Sequence, residues 1–120
     1  MARPLVLVVE DEPLLRLHAV TLLEDAGYAT LAAGSADEAI GHLETNPDIR
    51  AVFTDIDLPD GMDGMRLAAV IRDRWPPVEL ILTSGHITVE DDQLPERGHF
   101  LPKPYDSAQL VRVLEALRLG

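Results

Sequence analysis

Leu5-Val6-Leu7-Val8-Val9-Glu10-Asp11-Glu12-Pro13 changes character twice within a few residues. Its opening apolar run has no polar alternation, so it reads as a strand buried on both faces, as in a parallel sheet covered on both sides. Three acids follow at once. Pro13 then opens a helix, at a position where its missing N–H has no partner to lose. Leu15, Ala19, Leu22, Leu23 and Ala26 recur at helical spacing, and Gly27 stops the run.

The alternation continues to the end of the chain. Residues 28–33 form a weaker, half-polar strand, hence an edge. Ser35 and Glu38 have capping-box spacing for a helix with Ala39, Ile40 and Leu43 on its apolar side, ended by Asn46-Pro47. Ala51-Val52-Phe53-Thr54 is a third strand, followed by an acidic, Gly-rich loop from Asp55 to Gly64. A third helix is expected from about Met65 to Trp75, broken by Pro76-Pro77, and strand four over Glu79 to Thr83. Residues 84–97 hold Gly85, Pro95 and few apolar anchors, which predicts a short or poorly formed helix. Phe100-Leu101 is a brief fifth strand. Asp106 and Gln109 then cap a last helix carrying Leu110, Val113, Leu114 and Leu117. Strands alternating with helices at these lengths imply right-handed βαβ units and a doubly wound parallel α/β sheet. No repeat or linker interrupts residues 1–120, so they read as one domain.

Composition narrows the function. At 120 residues the chain allows one core, with about two-thirds of the unfolded surface buried. A hydrophobic fraction of 47% excludes disorder, and the absence of cysteine excludes disulfide scaffolds and thiolate metal sites. A net charge of −11 repels phosphate backbones and anionic lipid, which argues against direct nucleic-acid or membrane binding. No stretch approaches the roughly 20 apolar residues of a membrane span, and the N-terminal apolar run is too short for a signal peptide. The expectation is a small, acidic, cytoplasmic domain.

In open parallel sheets, chemistry collects at the carboxyl ends of the strands. Here those ends carry Glu10-Asp11-Glu12, Asp55, Thr83-Ser84 and Lys103. A carboxylate such as Asp55 can act as a nucleophile toward phosphorus. Glu10, Asp11 and Asp55 together make an oxygen-rich set suited to Mg²⁺. Taken alone, the acidic triplet is equally a helix N-terminal cluster favoured by the macrodipole. Lys103 is the single lysine beside nine arginines, and a compact ammonium acts as a point charge on phosphate. It lies between Pro102 and Pro104, and an X–Pro bond there can be cis. Thr83 has a hydroxyl able to donate to a phosphate oxygen, although a polar strand terminus explains it as well.

Taken together, Val9-Glu10-Asp11-Glu12, Val52-Phe53-Thr54-Asp55, Leu58-Pro59, Met62-Asp63-Gly64, Leu82-Thr83-Ser84-Gly85 and Leu101-Pro102-Lys103-Pro104-Tyr105 resemble the receiver domain of two-component response regulators, over the whole chain and in the right order. The resemblance implies a flavodoxin-like five-stranded sheet of order 2-1-3-4-5 with helices on both faces. It implies that Asp55 accepts a phosphoryl group from a sensor histidine kinase or histidine phosphotransfer protein. It further implies that Asp11, Asp55 and the backbone carbonyl of Asp57 ligate Mg²⁺, with Glu10 acting through water. Thr83 and Lys103 would stabilise the phosphoryl group, and Thr83 and Phe100 would switch a surface read by a downstream protein or a second copy.

Three departures stand out. The loop after Asp55 is one residue longer than the commonest receiver pattern. The fourth helix, between strands four and five, has little sequence to form it. Asp57 adds a carboxylate two residues past the acceptor, able either to repel a phosphoryl group or to position water. Two other readings remain: a pseudo-receiver that binds partners without phosphorylation, and a Mg²⁺-dependent phosphatase of the haloacid-dehalogenase type using Asp55-Ile56-Asp57 as its DxD motif. That motif normally follows a first strand and has a small polar residue where Leu58 stands. His18, His42, His86 and His99 lack ligand spacing. No effector segment follows Leu119-Gly120, so the chain reads as a stand-alone receiver or one cut from a longer protein.

Overall fold

The structure, a computed structural model, describes residues 3–59 and 62–119. The Asp60-Gly61 step of the long loop lies outside the described residues. Five strands, β1 (Leu5–Val9), β2 (Ala29–Ala33), β3 (Ile49–Asp55), β4 (Glu79–Ser84) and β5 (Gly98–Pro102), form one parallel sheet of order β2-β1-β3-β4-β5. Four α-helices cover it: α1 (Pro13–Asp25), α2 (Ala36–Thr45), α3 (Gly64–Arg74) and α4 (Ser107–Leu117).

Strand alternation sorts the core into two layers. Val6, Val8, Ala51, Phe53, Ile81 and Leu101 face Ala19 and Leu23 of α1 and Leu110 and Leu114 of α4. Leu7, Val9, Val52, Leu80 and Leu82 face α2 and α3, which contribute Ala39, Leu43, Leu67 and Ile71. Each helix begins on a side-chain cap: Glu12 accepts from Leu14 N–H, Ser35 from Glu38 N–H, Asp63 from Arg66 N–H and Asp106 from Gln109 N–H. The Ser35 box is only half as expected. Glu38 reaches past Ser35 and accepts from the Gly34 N–H at 2.8 Å.

The expected helix between strands four and five is reduced to a single 3₁₀ turn, Asp91–Gln93, so the last helix is α4. In residues 85–97 only Val89 is buried, and one apolar anchor cannot hold a helix against a sheet. Three strands run longer than expected: β3 covers Ile49–Asp55, β4 extends to Ser84 and β5 covers Gly98–Pro102. Leu15, expected on the apolar side of α1, is 47% exposed, and Leu14 is 75% exposed.

These layers set different penalties for the same truncation. Leu114→Ala opens a cavity in the α1/α4 layer and is expected to cost about 3 kcal/mol, whereas Leu14→Ala stays within about 0.5 kcal/mol. Urea unfolding midpoints at unchanged slope measure both.

Candidate functional site

The strand order 2-1-3 places the carboxyl ends of β1 and β3 side by side, with Val9 in register with Thr54. The next residues, Glu10 and Asp55, are each only 6% exposed. Glu10 is held at both ends of the residue. Its carbonyl accepts from the Arg16 guanidinium at 3.0 Å, and its Oε2 accepts from the Glu12 N–H at 3.1 Å. Asp55 Oδ1 accepts from the Asp57 N–H at 3.0 Å. Asp11, exposed, completes a trio in which Glu10, Asp11 and Asp55 each offer an oxygen within 4.8 Å of the others.

Among the described residues, one ammonium bonds the carboxylates of this trio. Lys103 arrives from the end of β5, its own N–H donating to the Ser84 carbonyl at 3.0 Å, and the Lys103–Pro104 peptide bond is cis. Its Nζ donates to Asp55 Oδ2 at 2.9 Å and to Glu10 Oε1 at 3.3 Å. Burial alone would pull the Lys103 ammonium down, but the hydrogen bond and charge of Asp55, together with Glu10, outweigh it and hold the group above its ordinary value. Burial pushes the Glu10 carboxyl up, against the lowering influence of the Glu12 N–H and Lys103. Three carboxylates against one ammonium leave uncompensated negative charge, carried by hard oxygen donors suited to a divalent cation.

Thr83 pairs with Asp55 in the β3–β4 register. Its hydroxyl is buried and has no hydrogen-bond partner among the described residues. An unmade bond of this kind costs about 1–3 kcal/mol, so a donor stands ready beside Asp55. A cavity of about 420 Å³ opens between α1 and the β5–α4 connection, lined by Asp55, Thr83 and Lys103 together with the apolar Leu15, Ala19 and Phe53. Tyr105 closes it, tilted against Phe53 with ring centroids 5.6 Å apart.

The structure thus brings Glu10, Asp11, Asp55, Thr83 and Lys103 together. Phe100 stands apart: it pairs with Leu82 and packs half-buried on the α2/α3 side. Two contributors were missed by reading the sequence. Gly64 begins α3 against the Asp55-Ile56 backbone, where a Cβ would lie 2.7 Å from Ile56 Cα. Its place in Met62-Asp63-Gly64 was visible, but the close approach was not. Arg16 braces Glu10 and offered no signal beyond helical spacing.

Comparison with known proteins agrees with this geometry. The family model described as response regulator receiver domain matches residues 6–115. The chain belongs to this family. This receiver domain is 34% identical to the nitrogen assimilation regulatory protein NtrX of Azorhizobium caulinodans, over 95% of this chain and 27% of NtrX. It is 32% identical to the sensor protein TorS of Escherichia coli, over 90% of this chain and 12% of TorS. It thus spans about a quarter or less of these relatives' length. A crystal structure of a response regulator receiver protein from Sinorhizobium medicae superposes with a TM-score of 0.87 at 32% identity, covering 96% of this chain and 94% of that one. The receiver domain of two-component response regulators is therefore its class, and receiver domains of this class interact with histidine kinases or phosphotransfer proteins. Among the described residues no helix is long and apolar enough to cross a membrane.

The raised Glu10 carboxyl has a definite sign in stability. Its native value lies above the ordinary 4.5, so between 4.5 and that native value the folded state holds more protons than the unfolded one, and stability falls as pH rises. In the presence of a chelator, Glu10→Gln is expected to gain on the wild type as pH rises above 4.5. Below 4.5 that relative gain is expected to be absent. Urea unfolding of both proteins across that range checks it, and parallel pH curves would remove Glu10 as the source.

Proposed function

We propose that Asp55 accepts a phosphoryl group from a phosphohistidine on a sensor kinase or phosphotransfer protein, within a receiver unit spanning 1–120. The observation that carries this reading is the Lys103 ammonium 2.9 Å from Asp55 Oδ2, beside a buried Thr83 hydroxyl with no partner. A carboxylate oxygen of Asp55 attacks phosphorus as the P–N bond breaks. With its distal nitrogen protonated, the imidazole departs as a neutral group carrying the bond's electron pair, so charge and protons balance. Lys103 then pairs with the new anionic oxygens, and Thr83 donates to one of them. The Phe100 ring responds on the neighbouring strand, altering the surface offered to a downstream protein or a second copy.

The donor set fits Mg²⁺, which Asp11, Asp55 and the Asp57 backbone carbonyl would hold directly and Glu10 through water. When bound, the cation offsets the repulsion between the acceptor carboxylate and the incoming phosphoryl oxygens. None of the acceptor, the acids or the lysine is missing, which favours phosphorylation over a phosphate-independent interaction module. The Asp57 carboxylate accepts from Ser84 Oγ at 2.8 Å, which disfavours the DxD phosphatase reading.

Acetyl phosphate with Mg²⁺ is expected to add one phosphoryl mass to the wild type and none to Asp55→Asn. Equal uptake by both would overturn the assignment. Mg²⁺ is also expected to raise the melting temperature by mass action. Asp11→Asn shrinks that rise while lifting the metal-free melting temperature, because one repelling carboxylate is gone. Scanning calorimetry of both proteins with and without Mg²⁺ reads both effects.

A further inference from the structure

Ser84 ends β4 and is 2% exposed. Its hydroxyl donates to Asp57 Oδ2 at 2.8 Å and accepts from the N–H groups of His86 at 3.0 Å and Ile87 at 3.2 Å. A serine hydroxyl has one proton and two lone pairs, so its capacity is fully used. Asp57 has a second attachment, its own N–H donating to Asp55 Oδ1 at 3.0 Å. One residue therefore touches the acceptor through its amide and the start of the β4–β5 connection through its carboxylate.

That connection has little else to hold it. Residues 85–97 contain a single 3₁₀ turn, and Val89 is their one buried residue. Ile87, whose N–H the Ser84 hydroxyl takes, is 48% exposed. We propose that Asp57 and Ser84 form a latch that pins the start of this connection, and that negative charge added to Asp55 opens it. The coupling rests on Asp55 being the acceptor. A phosphoryl group replaces the single carboxylate charge of Asp55 by about two on the phosphoryl oxygens, a net gain of about one negative charge next to a residue whose amide is bound to that same carboxylate. Like charges at this range repel, and Asp57 is at the surface, free to turn toward water. Once the carboxylate leaves, the Ser84 hydroxyl loses the charge-assisted partner that fixes its rotation, and its hold on His86 and Ile87 loosens. The route is separate from the Thr83 hydroxyl, because successive strand residues point to opposite faces and Thr83 lines the cavity beneath α1. Asp57 acts here as a positioning residue.

Hydrogen exchange on the full chain tests this, with mass confirming the state of Asp55. Ser84→Ala removes the latch and is expected to raise amide exchange at His86 and Ile87 roughly tenfold in the unmodified protein. Asp57→Asn keeps an acceptor oxygen for Ser84 but lacks the charge, so its unmodified exchange is expected to match the wild type. Beryllofluoride with Mg²⁺ places an anionic tetrahedral group on Asp55. It is expected to raise exchange over 86–94 in the wild type, and several-fold less in Asp57→Asn. Unchanged exchange in Ser84→Ala overturns the latch, and an equal response in wild type and Asp57→Asn overturns the charge coupling. If acetyl phosphate and beryllofluoride both leave Asp55 unmodified, the acceptor reading fails and the coupling fails with it. The Ser84→Ala comparison then still decides the latch.

Discussion

Three carboxylates share one ammonium at the carboxyl edge of the sheet, and the rest of the molecule is arranged to make that tolerable. At an effective dielectric of about 20, unit charges 4 Å apart interact by about 4 kcal/mol. Lys103 can offset one such repulsion between Glu10 and Asp55 but not those that Asp11 adds. The two buried acids cannot turn away, because backbone N–H groups at Glu12 and Asp57 hold their oxygens. The arrangement favours any ligand that brings positive charge and resists one that brings only negative charge. Such a charge balance suits a divalent cation.

Much of this was legible in the sequence because it depends on chain order alone. An apolar run ending in Glu10-Asp11 and another ending in Thr54-Asp55 must bring those acids together once β1 and β3 are neighbours in a parallel sheet. Lys103 followed from its place between two prolines at the end of a short strand. Contacts that depend on side-chain direction were not legible. Glu38 bypassed the expected cap to bind Gly34, Arg16 reached back to the Glu10 carbonyl, and Ser84 turned to Asp57 across 27 residues of sequence. Periodicity indicates which face a residue occupies, but not which of several partners on that face a flexible polar group will take.

The weak β4–β5 connection was readable for the opposite reason, by what residues 85–97 lack. A helix lying on a sheet needs apolar residues at i, i+3, i+4 and i+7, and this segment supplies Val89 and a half-buried Leu94. The chain instead satisfies its backbone locally: the Glu90 N–H donates to Gln93 Oε1 at 3.0 Å and the Gln93 N–H to the Glu90 carbonyl at 2.9 Å. Local bonds of that kind are close to solvent and open at low free energy compared with the strands beneath them. A surface built this way can change shape without disturbing the sheet that positions Asp55.

The end of β4 is where these properties meet. Thr83 and Ser84 are consecutive, so the pleat sends one side chain to the cavity under α1 and the other to the opposite layer. Thr83 is buried with its hydroxyl unmade, whereas Ser84 is buried with every bond made. A phosphoryl group on Asp55 would therefore act on the two in opposite senses, supplying a partner to Thr83 while drawing one from Ser84. The gain at Thr83 and the loss at Ser84 are each a single hydrogen bond, on the order of 1 kcal/mol and opposite in sign. A step of that size is within what a small covalent change needs in order to shift a population between two states.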